Sequence, residues 1–262
     1  MAKRSFANKR VILTGASSGI GWYIASMLVR AGAYVVITGR RAERLEDLRR
    51  SFGNPSKRLI AVPGDISDPQ HRRKLIDTAV QQLGGIDIVI NNAGVGAIGN
   101  FESASEERLR GVFEVDFFGA TELTRLALPY LTKGDEPAVC VVSSVLGHRA
   151  VPAKSEYCAA KFALRGWSES LRVELKPKGI DVVSISPSTT DSEFFDSLVE
   201  TDPAQKSRSI GKQPAERVAK SVVSALRRRK RDMVLSAGGK ALVWLGRLAP
   251  NFTDRMLMQY AT

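Results

Sequence analysis

The sequence predicts an α/β fold: a doubly wound parallel sheet of about seven strands with helices on both faces. Three observations predict it. Short apolar runs of strand length alternate with stretches of helical periodicity. The first such run leads straight into a glycine-rich turn and a helix. Further polar and glycine-bearing turns follow directly after buried runs, where open parallel sheets place their ligand sites. With 262 residues, 44% of them hydrophobic, the chain can build one domain with a substantial core. That domain is expected over residues 1–237, with 238–262 as a helical extension of it.

Arg10-Val11-Ile12-Leu13-Thr14 reads as the first strand and runs into Gly15-Ala16-Ser17-Ser18-Gly19-Ile20-Gly21, with a helical pattern on to Gly32. Gly15 permits the tight turn, Gly19 lets backbone approach a pyrophosphate, and Gly21 allows close helix–sheet packing. Ser17, Ser18 and Ile20 complete the loop, and the phosphate belongs at the helix amino end. Tyr34 to Thr38 is the second strand, followed by a helix over Glu43 to Phe52. Dinucleotide enzymes specific for NAD place an acid at the end of this strand, on the ribose 2′-hydroxyl. Here Gly39 stands there, followed by Arg40 and Arg41, and an arginine suits a 2′-phosphate. NADP(H) is therefore favoured, and NAD(H) remains open.

Leu59 to Val62 is the third strand, and Gly64-Asp65-Ile66-Ser67-Asp68 is a turn in which Ser67 or Asp68 caps a helix over Pro69 to Leu83. The fourth strand, Ile86 to Ile90, ends in Asn91-Asn92-Ala93-Gly94. A long helix is expected from Ser105 to Leu131, then strands at Ala138 to Val142 and Asp181 to Ser186. Beyond Pro187, the stretch Ser188 to Gly211 shows little pattern apart from Phe194, Phe195 and Leu198. It reads either as a functional lid or as a surface excursion. An amphipathic helix over Pro214 to Arg229 and a strand at Met233 to Leu235 close the sheet.

The chemistry concentrates between Ser143 and Lys161. In a helix beginning near Ser155, the four-residue spacing puts Tyr157 and Lys161 on one face, one turn apart. A free tyrosine, with a pKa near 10, exchanges protons poorly at neutrality. A neighbouring ammonium favours the phenolate and should lower that value. Ser144, after the fifth strand, can hydrogen-bond the same substrate oxygen.

Together, Thr14-Gly-x-x-x-Gly-x-Gly21, Asp65, Asn91-Asn-Ala-Gly94, Ser144, Tyr157-x-x-x-Lys161 and Pro187 resemble, in content and order, the single-domain branch of the short-chain dehydrogenase/reductase family. The resemblance spans about Val11 to Met233. It implies a Rossmann-type seven-stranded sheet, a bound nicotinamide dinucleotide and hydride transfer between a carbonyl and an alcohol. It also implies site roles. Asp65 and Ile66 meet the adenine, and Asn91, Ala93 and Gly94 line the ribose and support the sheet. Tyr157 is the general acid or base, Lys161 holds the nicotinamide ribose, and Ser144 orients the substrate oxygen. Pro187, Thr189, Thr190 and Ser192 lie beside the nicotinamide.

Two motifs depart from the family pattern. Val115-Asp116-Phe117-Phe118-Gly119 has Asp116 where the family has an asparagine that kinks the helix and anchors a proton-relay water. A carboxylate there should raise the Lys161 pKa and weaken its help to a phenolate. After Pro187, Ser188 replaces a glycine and Ser192 stands where a threonine is expected.

The net charge of +12 points either to a polyanionic partner, such as cofactor phosphates, anionic lipid or nucleic acid, or simply to local crowding of basic residues. The basic residues crowd into Lys3 to Arg10, Arg40 to Arg50 and Arg227 to Arg231. No aromatics interleave with these runs and no nucleic-acid module is present, so nucleic acid is not expected. Cys140 and Cys158 form no disulfide framework, no secretory signal precedes Val11 and no apolar run is long enough to span a bilayer. A soluble, cytoplasmic protein is expected. In 238–262, Leu242, Val243, Trp244, Leu245 and Leu248 form one amphipathic segment, and Met256, Leu257, Met258 and Tyr260 another. These either pack on the domain or a sister subunit, or lie on an anionic membrane surface. A homodimer or homotetramer fits the resemblance. Leu146, Val151, Phe194 and Phe195 hint at a hydrophobic substrate, and no metal ligands group together. Two other functions stay open: a dinucleotide-binding regulator with little turnover, and a non-redox enzyme on the same fold.

Overall fold

The computed structural model describes residues 2–53, 58–194, 198–199 and 211–259. Seven parallel strands form the central sheet: β1 (Arg10–Leu13), β2 (Tyr34–Ile37), β3 (Leu59–Ala61), β4 (Ile88–Asn91), β5 (Ala138–Val142), β6 (Asp181–Ser186) and, after two short strands, β9 (Asp232–Val234). Their spatial order is β3-β2-β1-β4-β5-β6-β9. The order reverses between β1 and β4, where Val11 pairs with Val35 on one side and Ile88 on the other. That reversal opens a crevice at the strand carboxyl ends.

Alternation along each strand divides the core between the two faces. Val11 and Leu13 pack with Val35 and Ile37 beneath α1 (Gly19–Arg30), α2 (Ala42–Arg50) and α7 (Ala215–Arg227). Ile12, Val36, Val89 and Val139 face the opposite layer of α3 (Pro69–Leu83), α5 (Gly119–Leu131) and α6 (Ser155–Leu175). The Asp68 side chain accepts from the Gln70 N–H at the start of α3, so the cap is Asp68 rather than Ser67.

The long helix expected over 105–131 is divided. α4 (Glu106–Phe113) is joined to α5 by a single π-helical turn over Glu114–Phe118, in which the Gly119 N–H reaches back to the Glu114 carbonyl. The extra residue in that turn rotates Asp116 into the interior. A two-residue parallel ladder between β7 (Thr190–Asp191) and β8 (Gln213–Pro214) is a further element the pattern did not reveal.

Two of the three basic runs are partly internal. Arg4 is buried, pairs with Asp181 at 2.6 Å and donates to the Leu226 carbonyl at 2.7 Å. Lys9 meets Asp135, Arg10 meets Asp87 at 2.5 Å, and Arg229 joins Asp181 at 3.0 Å. Much of the amino-terminal charge therefore ties the ends of β1 and β6 to their neighbours instead of facing a polyanion. The final helices, α8 (Ala237–Leu248) and α9 (Pro250–Met258), fold back on the body, where Arg149 pairs with Asp254. No helix among the described residues is long and apolar enough to cross a membrane.

Candidate active site

The crevice holds two adjoining cavities. One, of about 490 Å³, is walled by the glycine loop, the ends of β2 to β4 and the segment Ser192-Glu193-Phe194. The other, of about 720 Å³, continues past Ser144, Tyr157 and Lys161 to the α8–α9 tail. Gly94, Asn92, Ile20, Ser192 and Phe194 line both.

The glycine loop has the close packing its spacing implies. A Cβ on Gly21 would stand 2.1 Å from the Gly15 carbonyl oxygen, and Gly15 and Gly19 take φ of +68° and +53°. The loop is braced from β4, where the Asn92 amide donates to the Thr14 and Gly15 carbonyls at 3.0 Å each. Ser17, Ser18, Arg40, Arg41, Asp65, Ile66 and Ala93 all line the first cavity. Asp65 also accepts from the Ser67 N–H at 2.9 Å, which fixes the turn. Asn91 does not face the cavity. It ends β4 buried and donates to the Thr124 hydroxyl at 2.8 Å, so it supports the sheet while Asn92 takes the cleft position.

Tyr157 and Lys161 lie one turn apart on α6, with the Lys161 Nζ 5.3 Å from the Tyr157 ring centroid. Ser144 sits in extended backbone just after β5, where its hydroxyl accepts from the Leu146 N–H at 3.1 Å. The π turn places the wholly buried Asp116 against Lys161, with Oδ2 at 2.9 Å from Nζ. Its Oδ1 accepts from the Val95 N–H at 2.7 Å, so one carboxylate oxygen is hydrogen-bonded and the other is ion-paired.

The electrostatics follow. Burial opposes the Lys161 charge, but Asp116 and then Tyr157 favour it, and Lys161 ends above its ordinary value. Burial pushes Asp116 up, and Lys161 pulls it back only in part. Burial also pushes the Tyr157 phenol up. Lys161 pulls it down, Asp116 pushes it up again, and hydrogen bonding with Ser144 pulls it down, leaving the net direction upward. This corrects the expectation that the Tyr157 phenol ends below its ordinary value. The lysine acts with the expected sign, but desolvation and the Asp116 carboxylate outweigh it.

Leu146, Val151, Pro187, Thr189 and Thr190 line the second cavity, and Phe194 meets Tyr157 edge-on at 5.6 Å. Phe195 lies outside the described residues. No residue from Pro187 to Asp191 is left-handed, so Ser188 fits without backbone strain. Ser192 rests on the glycine loop: its Cβ lies 2.9 Å from where a Cβ on Gly19 would be. Glu193, absent from the expected set, lines the first cavity as well, and Arg44 reaches it from α2. Glu193 pairs with Arg41, and with Arg44 at 2.9 Å. The i, i+3 spacing of Arg41 and Arg44 was visible at the α2 start, whereas nothing in the sequence indicated that Glu193 would reach them. Among the described residues, no cluster of metal-ligating side chains occurs.

The short chain dehydrogenase family profile matches residues 9–203. This chain belongs to the short-chain dehydrogenase/reductase family. An uncharacterized oxidoreductase of Bacillus subtilis (strain 168), YxnA, is 33% identical over 94% of this chain and 70% of its own length. A short-chain dehydrogenase/reductase of Burkholderia phymatum, solved in complex with NAD, has a TM-score of 0.86 at 23% identity over 95% of this chain and 96% of its own. A short-chain dehydrogenase of Burkholderia cenocepacia, solved with NADP, has a TM-score of 0.79 at 28% identity, covering 90% of this chain and 100% of its own. Family membership makes the chain a dehydrogenase or reductase with a nicotinamide dinucleotide cofactor.

Proposed function

We propose that the protein is an NADP(H)-dependent oxidoreductase acting on a carbonyl or secondary alcohol of a hydrophobic substrate, with Tyr157 as general acid or base. The observation that carries this reading is the convergence of Ser144, Tyr157 and Lys161 on the wall of the larger cavity, directly beside the glycine loop. The residues fit a dinucleotide. Gly21 leaves no room for a side chain at the α1 turn, and the adjoining cavity ends at Arg40 and Arg41 with no acid at the close of β2.

In this reading Gly15 to Gly21 hold the pyrophosphate, Arg40 and Arg41 take the 2′-phosphate, Asp65 and Ile66 flank the adenine, and Ala93 and Gly94 flank the ribose. When bound, the nicotinamide supplies or accepts the hydride. Tyr157, kept as a phenol by burial, gives its proton to the carbonyl oxygen in reduction and takes it back in oxidation. Ser144 orients that oxygen by hydrogen bonding. Lys161, whose charge Asp116 favours, holds ribose hydroxyls and eases the loss of the Tyr157 proton. Leu146, Val151, Phe194, Leu242, Leu245 and Met256 give the second cavity an apolar lining suited to a lipid-like or steroid-like ketone.

The experiment is an NADPH-oxidation assay over a panel of hydrophobic ketones, with Tyr157→Phe as control. Turnover that falls by about two to four orders of magnitude in the variant, with cofactor binding retained, supports the role given to Tyr157. Binding without turnover on any ketone would instead favour the regulatory alternative. We further propose a cytoplasmic homodimer or homotetramer. The outer face of α8 and α9 exposes Trp244, Leu248, Phe252 and Met258, an apolar surface suited to a sister subunit. Lys240, Arg247 and Arg255 on the same helices keep peripheral contact with an anionic membrane as the alternative. Sedimentation with and without anionic vesicles separates the two.

A further inference from the structure

The segment Asp191 to Phe194 crosses the cleft at three points. Ser192 lies on Gly19, Phe194 lies against the Tyr157 ring, and between them Glu193 reaches the start of α2. There its carboxylate meets Arg41 on one oxygen and Arg44, at 2.9 Å, on the other. Arg44 in turn lies over the Trp22 ring at 5.5 Å, a cation–π contact that helps fix its guanidinium beside Glu193. Two guanidiniums converging on one anion, at the edge of the first cavity, form a phosphate-type site with a carboxylate already in it. Arg40 beside them makes no side-chain ion pair with any described residue.

We propose that Glu193 is an internal counter-anion that competes with the cofactor's 2′-phosphate for Arg41 and Arg44, and so sets how strongly the protein prefers NADP(H). The proposal rests on the NADP(H) reading above and adds to it a residue from outside the cofactor-binding β1–α2 segment. Glu193 and its partners are between 38% and 47% exposed, so the pairs are solvent-screened and cheap to break. A 2′-phosphate, with about two charges and three acceptor oxygens, can displace a single screened carboxylate. A cofactor without that group leaves the pairs in place. Glu193 therefore weakens 2′-phosphate binding and leaves the unphosphorylated form unaffected. Because Ser192 and Phe194 flank it, its release also loosens the cover over Gly19 and Tyr157.

The test is calorimetric titration of the full chain and of Glu193→Gln with adenosine 2′,5′-bisphosphate and with ADP, at low and moderate salt. Glutamine keeps the hydrogen-bonding shape and removes the charge. The expected result is tighter binding of the bisphosphate by Glu193→Gln, roughly three- to tenfold at low salt, with ADP binding unchanged and the gain shrinking as salt rises. Equal weakening of both ligands would make Glu193 a clamp on any dinucleotide and overturn the proposal. So would a wild-type preference for the bisphosphate that Glu193→Gln leaves unaltered. If the wild type does not distinguish the two ligands and Arg41→Ala changes neither, the NADP(H) reading itself fails, and the proposal with it.

Discussion

Asp116→Asn removes the buried charge beside Lys161 while keeping shape and volume. At 2.9 Å, with an effective dielectric near 20, Coulomb's law gives roughly 6 kcal/mol of attraction between the two side chains. The same law gives roughly 3 kcal/mol between Lys161, 5.3 Å from the Tyr157 ring centroid, and a phenolate charge on that ring. At present Asp116 opposes that help, since it pushes the phenol up while Lys161 pulls it down. Asp116 Oδ2 lies within about 8 Å of the ring centroid, so at the same dielectric the variant relieves roughly 2 kcal/mol of repulsion on a phenolate. If relaxation and water penetration absorb half, about 1 kcal/mol remains, roughly a fivefold higher phenolate-to-phenol ratio at any given pH. The assay is the pH dependence of kcat/KM in both directions. The reduction limb that requires the phenol should move to lower pH, and so should the oxidation limb that requires the phenolate. A thermal melt run in parallel should show a lower Tm, because Lys161 loses its buried partner. Unchanged limbs would mean that Asp116 does not act on Tyr157. Limbs moving to higher pH would mean that Lys161 does not keep its charge without Asp116.

Three further predictions follow from the packing. Gly21→Ala would put a Cβ 2.1 Å from the Gly15 carbonyl oxygen, so it should abolish cofactor binding or markedly lower Tm, as read by titration and thermal melt. Arg4→Met strands the Asp181 carboxylate with Arg229 alone and leaves the Leu226 carbonyl without its side-chain donor; a loss of about 2 to 4 kcal/mol is expected from denaturant unfolding, and a loss under 0.5 would show the network to be dispensable. Burial pushes the Asp87 carboxyl up, but hydrogen bonds from Arg10 and from the Asp135 N–H more than offset it and leave it below the ordinary range. A depressed folded value contributes stability above the unfolded carboxyl pKa and loses it as pH falls through the folded value, so unfolding free energy should fall steadily below about pH 4, with a shallower slope in Asp87→Asn.

Strand periodicity and turn chemistry made the framework legible. β5 and β6 fall where their apolar runs begin and end, and α3 spans the stretch between its proline and its glycine. The glycine loop and the Tyr157–Lys161 pair were legible for the same reason: each is a local spacing that dictates local geometry. What stayed hidden depends on distant neighbours. Asp116 was noted as out of pattern, but its 2.9 Å contact with Lys161 needs the π turn, whose cause lies in packing and not in any residue signature. Asn91 and Asn92 look alike in sequence, and only the pleat decides which one faces the cleft and which one faces Thr124. The internal pairing of the basic amino-terminal run was not legible, because its partners Asp181, Asp135 and Asp87 lie far along the chain. Glu193 lies about 150 residues from the arginines it joins, and no periodicity carries that distance.

The central claim is that this crevice binds NADP(H) through the arginines at the start of α2. Fluorescence titration of the purified protein with NADPH and, in parallel, with NADH tests it most directly, with Arg40→Asp alongside. The expected result is a clear preference for NADPH that Arg40→Asp abolishes. Equal affinity for the two cofactors, or a preference that survives Arg40→Asp, would contradict it.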